Sequence, residues 1–430
     1  MKKKNNIYTG IELGSDMIRV VVASFRDPER GDSDLIIRGF AEVPSLKILK
    51  DEPVNPNIVE EQLRLALGTA WEMAGIEGEK SVISLAFSGN YIRQQVVEAT
   101  VDVDLSVAIS EEDCEEVANA ASLKAITMLD PDAREASSAL SMLNKRFRVG
   151  NGTYFFNPVG QYSEKLTIES IFFPMDVPRY NRIVMLLCSV LPGLQNFQQV
   201  YAPVAVTSAI LQPTVADEPQ GLVVDLGAGM TSYAIPSRWG FAACGQLAVG
   251  TDHLANDLSI AFSLKIETAK KIVHDLTSLN LTIVATNDGD ARRFSVMEKG
   301  TENPPKEIPA SEIEAVLEAR MKEVFQIIKQ RLIDQDVYQW VGNEILLTGV
   351  GATLPRITEL ASSVLGRRVR VAMPYQVIGC AGFQLDPRFT MVLGLLRAAC
   401  VEERIREERE ALSGGFLGKI KNWFTVASDC

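Results

Sequence analysis

The residues best suited to chemistry in this chain gather around glycines. Glu12 lies in the apolar run Ile7-Tyr8-Thr9-Gly10-Ile11-Glu12-Leu13 and just precedes Gly14-Ser15-Asp16. Asp225 lies in Gly221-Leu222-Val223-Val224-Asp225-Leu226 and precedes Gly227-Ala228-Gly229-Met230-Thr231. A second run follows each turn: Met17-Ile18-Arg19-Val20-Val21-Val22-Ala23 in the first case, Thr231-Ser232-Tyr233-Ala234-Ile235 in the other. An apolar strand carrying a carboxylate near its end, a small-residue turn and a β-branched return strand make an acidic hairpin. Glycine lacks a Cβ, so its backbone N–H can close on a phosphate oxygen. Asp225 is then the natural carboxylate for a hydrated Mg²⁺, a hard cation that takes oxygen ligands. A third turn, Thr348-Gly349-Val350-Gly351-Ala352, follows the apolar run Glu344–Leu347. Any one of these turns is explained as plain structure. The three together point to a nucleotide clamp.

Competing chemistries find little support. There is no GxxxxGK[ST] loop, and each hairpin glycine turn leads into a strand where a dinucleotide fingerprint needs a helix. The two histidines, His253 and His274, have no Cys or His at metal-ligand spacing, so structural zinc is not expected. Both are expected to be ordinary surface or core residues, and a histidine-based nucleophilic triad would have to use one of them.

The elements that must position these turns follow from patterning. Asp225 lies 213 positions after Glu12 (225 − 12), and the repeated hairpin reads as an internal duplication. Ile83–Gly89 reads as a strand and turn, and Ser110 caps a helix whose first turn is acidic. Residues 200–211 read as an apolar helix ended by Pro213, Leu254–His274 as helical, and Asn280–Met297 as one or two polar strands. Ser311–Val337 carries Ile313, Val316, Leu317, Met321, Val324, Phe325, Ile328 and Leu332 near helical spacing, a long amphipathic helix. Strands alternating with helices, with the repeat, predict an α/β fold in two related lobes around a cleft.

Composition sets the bounds. The 430 residues, 47% hydrophobic and 23% charged, describe a soluble globular chain of two to four domains. A net charge of −12 argues against bulk nucleic-acid binding. No run approaches the ~18 apolar residues of a spanning helix, since Met391–Val401 is broken by Arg397. The basic Met1-Lys2-Lys3-Lys4 start is followed by polar residues, and Glu12 interrupts the first apolar run, so no signal peptide is expected. Six cysteines without a CxxC pair predict a reduced, cytosolic chain.

These residues resemble the actin-like ATPase superfamily, and the chain resembles its bacterial cell-division branch, the FtsA family, almost end to end. Glu12-Leu13-Gly14-Ser15 looks like the first phosphate motif, Val224–Thr231 like the second, and Thr348–Ala352 like the adenosine motif. Asn157-Pro158-Val159-Gly160, with Ile109-Ser110-Glu111-Glu112-Asp113, is similar to the family's inserted subdomain. Val249–Leu258 looks like the segment after the second hairpin, which places His253 beside the cleft without a chemical role. Pro387–Leu396 resembles the second connecting helix.

The resemblance implies an actin-like ATPase fold with an FtsA-type insert. Its parts are a first base of 1–82 with 177–202 and 375–400, the insert at 83–176, and a second base of 203–253 with 339–374. A small subdomain at 254–338 would receive the FtsZ tail, a charged linker would span 401–414, and an amphipathic helix 415–427. It implies ATP and Mg²⁺ as cofactors, the nucleotide held by Glu12, Gly14, Ser15, Asp16, Asp225, Gly227, Ala228, Gly229, Met230, Thr231, Gly250, Thr251, Gly349, Val350 and Gly351, and the metal held by Asp225 through water. Arg320 matches the basic position that meets the acidic-hydrophobic tail of FtsZ, with Lys329 and Arg331 further along the helix; a solvated surface arginine is the alternative.

The implied function is a cell-division protein that binds ATP and polymerises as an actin-like filament. It would anchor FtsZ filaments to the cytoplasmic face of the inner membrane at the septum and recruit later divisome proteins through the insert. The family usually has Asp at Glu12, Lys at Met17, an Ala-Glu-x-x-Lys pattern where this chain has Ala269-Lys270-Lys271-Ile272-Val273, and glycine at Val350. Losing a cationic partner for phosphate and a carboxylate near the ribose should each weaken nucleotide binding by ~1–3 kcal/mol. At most a slow ATPase is expected.

The C-terminus carries its own signal. Glu402–Glu410 is a charged run, and Ser413-Gly414-Gly415 breaks it. Phe416, Leu417, Ile420, Trp423 and Phe424 then form one apolar stripe, flanked by Lys419 and Lys421. A terminal helix docked on the protein's own core is one reading. Aromatics and lysines beyond a charged tether favour an anionic membrane surface, and the segment resembles the family's membrane-targeting helix. Two other identities fit parts of the chain. A PilM-like scaffold of a type IV pilus inner-membrane platform shares the nucleotide motifs and insert but lacks such a tail. A sugar kinase of the same superfamily needs a carboxylate base that no residue here supplies convincingly.

Overall fold

The computed structural model describes residues 7–27, 33–77, 81–89, 92, 94–129, 140–152, 154–155, 157–174, 176–194, 197–212, 221–237, 240–277, 293–296 and 305–412. The chain opens with strands β1 (Ile7–Leu13), β2 (Met17–Phe25) and β3 (Leu35–Pro44), then a narrow pair, β4 (Ile48–Leu49) and β5 (Glu52–Pro53). Helix α1 (Pro56–Ala74) starts at an Asn55 cap whose side chain accepts from the Ile58 N–H, and Gly75 ends it in the left-handed conformation. Strand β6 (Val82–Phe87) returns to the sheet parallel to β1. Strands β1 and β2 are buried along almost their whole length, as a sheet covered on both faces requires.

The insert follows as β7 (Gln95–Asp102), α2 (Glu111–Leu129), β8 (Leu140–Val149), β9 (Tyr154–Phe155) and β10 (Lys165–Pro174), paired in the order β7-β10-β8-β9. Ser110 caps α2 as expected. Its hydroxyl accepts from the Asp113 N–H at 3.2 Å while the Asp113 carboxylate accepts from the Ser110 N–H at 2.8 Å, a reciprocal capping box.

Helix α3 (Val177–Val190) and strand β11 (Gln198–Tyr201) return to the first sheet, and α4 (Ala202–Ile210) leaves it. Residues 200 and 201, expected to be helical, therefore end a strand that pairs with β6. The second lobe repeats the first: β12 (Leu222–Leu226), β13 (Thr231–Ser237) and β14 (Gly240–Leu247) form an antiparallel meander. Helices α5 (Thr251–Phe262) and α6 (Ile266–Thr277) follow. The continuous helix expected over 254–274 is broken because Ser263 sits at φ 49, where its N–H and that of Leu264 bond back to Ile260 and Ser259 carbonyls.

The polar segment 280–297 is described only as β15 (Arg293–Val296), paired with β16 (Lys306–Pro309). Helix α7 (Ala310–Asp334) matches the expected long helix and buries Ile313, Leu317, Met321, Val324, Phe325, Ile328 and Leu332. Strand β17 (Glu344–Thr348), helix α8 (Ile357–Leu365) and strands β18 (Arg368–Val371) and β19 (Val377–Ile378) complete the sheets. Helix α9 (Thr390–Leu412) packs on α4 and on β1. It runs straight through the charged stretch after residue 400, with Glu403 buried beside Gln198.

The two large sheets read β11-β6-β1-β2-β3-β19 and β14-β13-β12-β17-β18. In each, an antiparallel three-strand meander carries a parallel strand on its first member and another parallel strand beyond. The duplication visible in the sequence is thus a duplication of topology. It puts both glycine turns on the same edge of their sheets, facing one cleft.

Candidate functional site: an acidic cleft between two hairpins

The two hairpins close in the same way. The Gly14 N–H donates to the Met17 carbonyl at 3.1 Å, and the Gly227 N–H to the Met230 carbonyl at 3.0 Å. Helix α5 fixes the second turn from behind, its Thr251 and Asp252 N–H groups donating to the Gly227 and Ala228 carbonyls at 3.0 and 2.9 Å. The turns nearly touch: a Cβ at Gly229 would fall on the Ser15 hydroxyl, so a glycine there is what lets the lobes meet. Gly349, at φ 84, brings the third turn against the Asp225 carboxylate.

The cleft is lined by Glu12, Gly14, Ser15, Asp16, Asp225, Gly227, Ala228, Met230, Gly349 and Val350. Gly229 faces Ser15 of the opposite hairpin at the cleft's narrowest point, while Thr231, Gly250, Thr251 and Gly351 stand one layer back. The Thr231 hydroxyl is spent on the Val249 carbonyl at 2.7 Å, while Gly250 and Gly351 pack against the Ala228 and Leu226 backbones. His253 turns its Nδ1 to the Gly250 N–H at 3.3 Å, capping α5. Arg320 lies away from the cleft on α7, in a two-point pairing with Asp257 of α5 at 2.6 and 2.9 Å and with Glu323 at 2.5 Å. The tail residues Phe416, Leu417, Lys419, Ile420, Lys421, Trp423 and Phe424 lie outside the described residues.

Several cleft residues are absent from the sequence-level prediction. Arg19 stands directly across the strand pair from Glu12 and is 3% exposed. It donates to Glu12 at 3.1 Å, to Asp16 at 2.7 Å and to Glu42 at 3.0 Å. The signal for it was available: Arg19 is the single charged residue in Met17–Phe25, on the same pleat face as Met17, where the family's lysine would stand. In the second hairpin the equivalent cross-strand position is Ser232. Asp51, Ser88 and Gln246 form a polar chain across the lobes: Ser88 donates to Asp51 at 2.8 Å, Gln246 to Ser88 at 2.6 Å, and the Gly89 N–H to Gln246 at 2.7 Å. Arg388, held by Asp386 at 2.6 Å, also lines the cleft.

Burial dominates the electrostatics. Loss of water pushes the Glu12 carboxyl up to about 8 against the downward pull of Arg19, with Asp16, Asp225 and Asp51 adding to the rise. Asp225 is pushed up to about 7 and Asp51 to about 6, again chiefly by desolvation. Glu12 Oε2 is buried with no hydrogen-bond partner among the described residues. Glu12 and Asp225 therefore suit a cation held through water and phosphate. Among the described residues no three His, Cys, Asp or Glu side chains converge as a direct metal cage. The cavity volume is about 40 Å³, room for a few waters.

Two lobes of one topology, closed on a cleft between acidic hairpins, define the class: this is an actin-fold protein. Solved structures agree. The PilM–PilN type IV pilus biogenesis complex matches with TM-score 0.59 at 14% identity, covering 93% of this chain and 99% of that chain. MreB5 of Spiroplasma citri bound to ADP matches with TM-score 0.51 at 11% identity, covering 95% and 99%.

Within that class the chain is FtsA-like. Residues 222–394 match the family described as cell division protein FtsA. Cell division protein FtsA of Bacillus subtilis (strain 168) is 24% identical over 403 residues, 94% of this chain and 85% of that protein. Its counterpart from Enterococcus hirae is 25% identical over 396 residues, 91% and 83%.

Proposed function

We propose that this chain is an actin-like cell-division protein that binds Mg²⁺-ATP between its hairpins, assembles with copies of itself and tethers FtsZ filaments to the cytoplasmic face of the inner membrane at the septum. The observation that carries the reading is the likeness to proteins named cell division protein FtsA along more than nine-tenths of the chain. The cleft supports the nucleotide part: Asp225 and the free Glu12 oxygen would hold the hydrated cation, and Arg19 supplies a cation one pleat away from Met17. Arg388, from the segment leading into α9, adds a second positive charge. ATP would bring the charge that neutralises these cations and, with its metal, the carboxylates.

The proposed domain division keeps bases at 1–82, 177–202 and 375–400 and at 203–253 and 339–374, with 254–338 for the FtsZ tail. The insert for later divisome proteins begins at β7 and not at residue 83, because β6 (Val82–Phe87) pairs with β1 and β11 in the first sheet. Arg320 is the candidate contact for that tail, and its pairing with Asp257 means that an acidic peptide must compete with a built-in carboxylate. Among the described residues no helix is long and apolar enough to cross a membrane, so attachment rests on the stripe Phe416–Phe424. Calorimetry of Mg²⁺-ATP with the wild type and Asp225→Ala tests the core of the proposal. Binding by the wild type and its loss in a folded variant is the expected result; equal affinity in both, or none in either, rejects the clamp.

A further inference from the structure

Between β3 and α1 the chain forms a strap, β4 and β5, whose turn is Lys50-Asp51. Both turn residues lie in the left-handed region, at φ 52 and 61. A two-residue hairpin turn of this hand needs positive φ at both positions, which non-glycine residues rarely adopt. The conformation persists because surrounding contacts hold it. From outside, Glu52 meets Arg179 and Arg182 of α3 at 3.2 and 3.7 Å, and the Val54 N–H donates to the Lys47 carbonyl at 2.9 Å.

The held turn delivers a carboxylate into the cleft. Asp51 Oδ1 accepts from the Ser15 hydroxyl at 3.1 Å, Oδ2 accepts from the Ser88 hydroxyl at 2.8 Å, and the Asp51 N–H donates to Ser15 Oγ at 3.1 Å. On the opposite side Lys50 Cα lies 3.0 Å from where a Cβ on Gly229 would stand. The strap thus touches both glycine hairpins, one in each lobe. Asp51 takes the hydrogen bonds that an anionic ligand oxygen would take from Ser15, and it adds a carboxylate beside Glu12, Asp16 and Asp225.

We infer that Asp51 is an internal anion that occupies the phosphate end of the cleft, so that a phosphate-bearing ligand enters only by displacing the strap. The inference rests on the nucleotide reading proposed above. Displacement would remove one carboxylate from the path of the incoming phosphate, release the Ser15 hydroxyl to it and let Lys50 and Asp51 leave the left-handed region.

The test uses the full chain at neutral pH, with Mg²⁺-ATP and magnesium pyrophosphate as separate titrants in calorimetry. Asp51→Gly suits the backbone angle and removes the anion. Asp51→Asn tolerates the same angle and keeps the shape without the charge. Thermal unfolding checks that each variant is folded. Both variants are expected to bind both titrants at least about tenfold more tightly than the wild type. Glu52→Gln, which loosens the anchor away from the cleft, should gain affinity in the same direction. If the Asp51 variants bind no more tightly while the wild type binds and Asp225→Ala does not, the internal anion is refuted and the nucleotide reading stands. If no protein in the series binds either titrant, both are refuted.

Discussion

Replacing Arg19 by methionine tests the electrostatics of the cleft most directly. The side chain is 3% exposed and holds Glu12, Asp16 and Glu42 at 3.1, 2.7 and 3.0 Å. Methionine keeps much of the volume, so the change removes charge and hydrogen bonds more than packing. Breaking a buried ion pair by removing one partner costs ~3–5 kcal/mol, because the remaining charge stays buried and uncompensated. The cost should depend on pH in a defined direction. Glu12 is raised from 4.5 to about 8, so between those values the native state holds a proton that the unfolded state has lost. Native stability therefore falls as pH rises through that window.

Arg19 lowers the pKa of both Glu12 and Asp225, and without it both rise further. The deficit of Arg19→Met is then largest on the alkaline side. There Glu12 and Asp225 ionise beside Arg19 in the wild type but, without that counter-charge in the variant, must stay protonated or carry an uncompensated charge. At about pH 5.5 Glu12 is protonated in both proteins. What remains lost are the pairings to Asp16 and Glu42, whose side chains are 28% and 27% exposed, worth ~1–2 kcal/mol after solvent screening. Urea unfolding of both proteins at about pH 8 and pH 5.5, with unchanged m-values, measures the difference. A deficit under ~1 kcal/mol at the higher pH, or one of equal size at both, would show that Arg19 does not carry this charge balance.

Three further outcomes follow. Gly394→Ala puts a methyl group on the Ala205 carbonyl where α9 crosses α4, and should cost ~1–3 kcal/mol and lower the melting temperature; an unchanged Tm would mean the helices are not packed this closely. Arg320→Glu faces Asp257 and Glu323 with a third carboxylate, so it should loosen the α5–α7 seam by about 1 kcal/mol and weaken binding of an acidic FtsZ-tail peptide. An unaltered peptide Kd takes Arg320 out of the contact. Trp423→Glu places a charge in the apolar stripe Phe416–Phe424, where each fully buried large side chain is worth about 1.5–3 kcal/mol, and should release the chain from anionic liposomes in a flotation assay. Flotation equal to wild type would point to a helix docked on the protein instead.

What the sequence alone determined is local. Apolar β-branched runs on either side of a glycine turn specify a hairpin through neighbours a few positions apart, so β1–β2 and β12–β13 were legible with their carboxylates in place. The Ser110 cap and the apolar stripe of α7 are likewise short-range, and both elements formed where patterning put them. Convergence is another matter. Asp51 meets Ser15 and Ser88, Gln246 meets Ser88, and Arg19 meets Glu42 because strand order brings distant segments together. No periodicity records that order.

The break at Ser263 is local but carries no clear sequence signal, since it depends on a left-handed residue, which Ser does not advertise. The strand ending at Tyr201 is tertiary too, because it depends on a parallel partner, β6, more than a hundred positions upstream. The chemistry of the cleft belongs to the same category. Glu12, Asp51 and Asp225 would be ordinary carboxylates in water, and only the closing of two lobes over them removes the solvent that would keep them so.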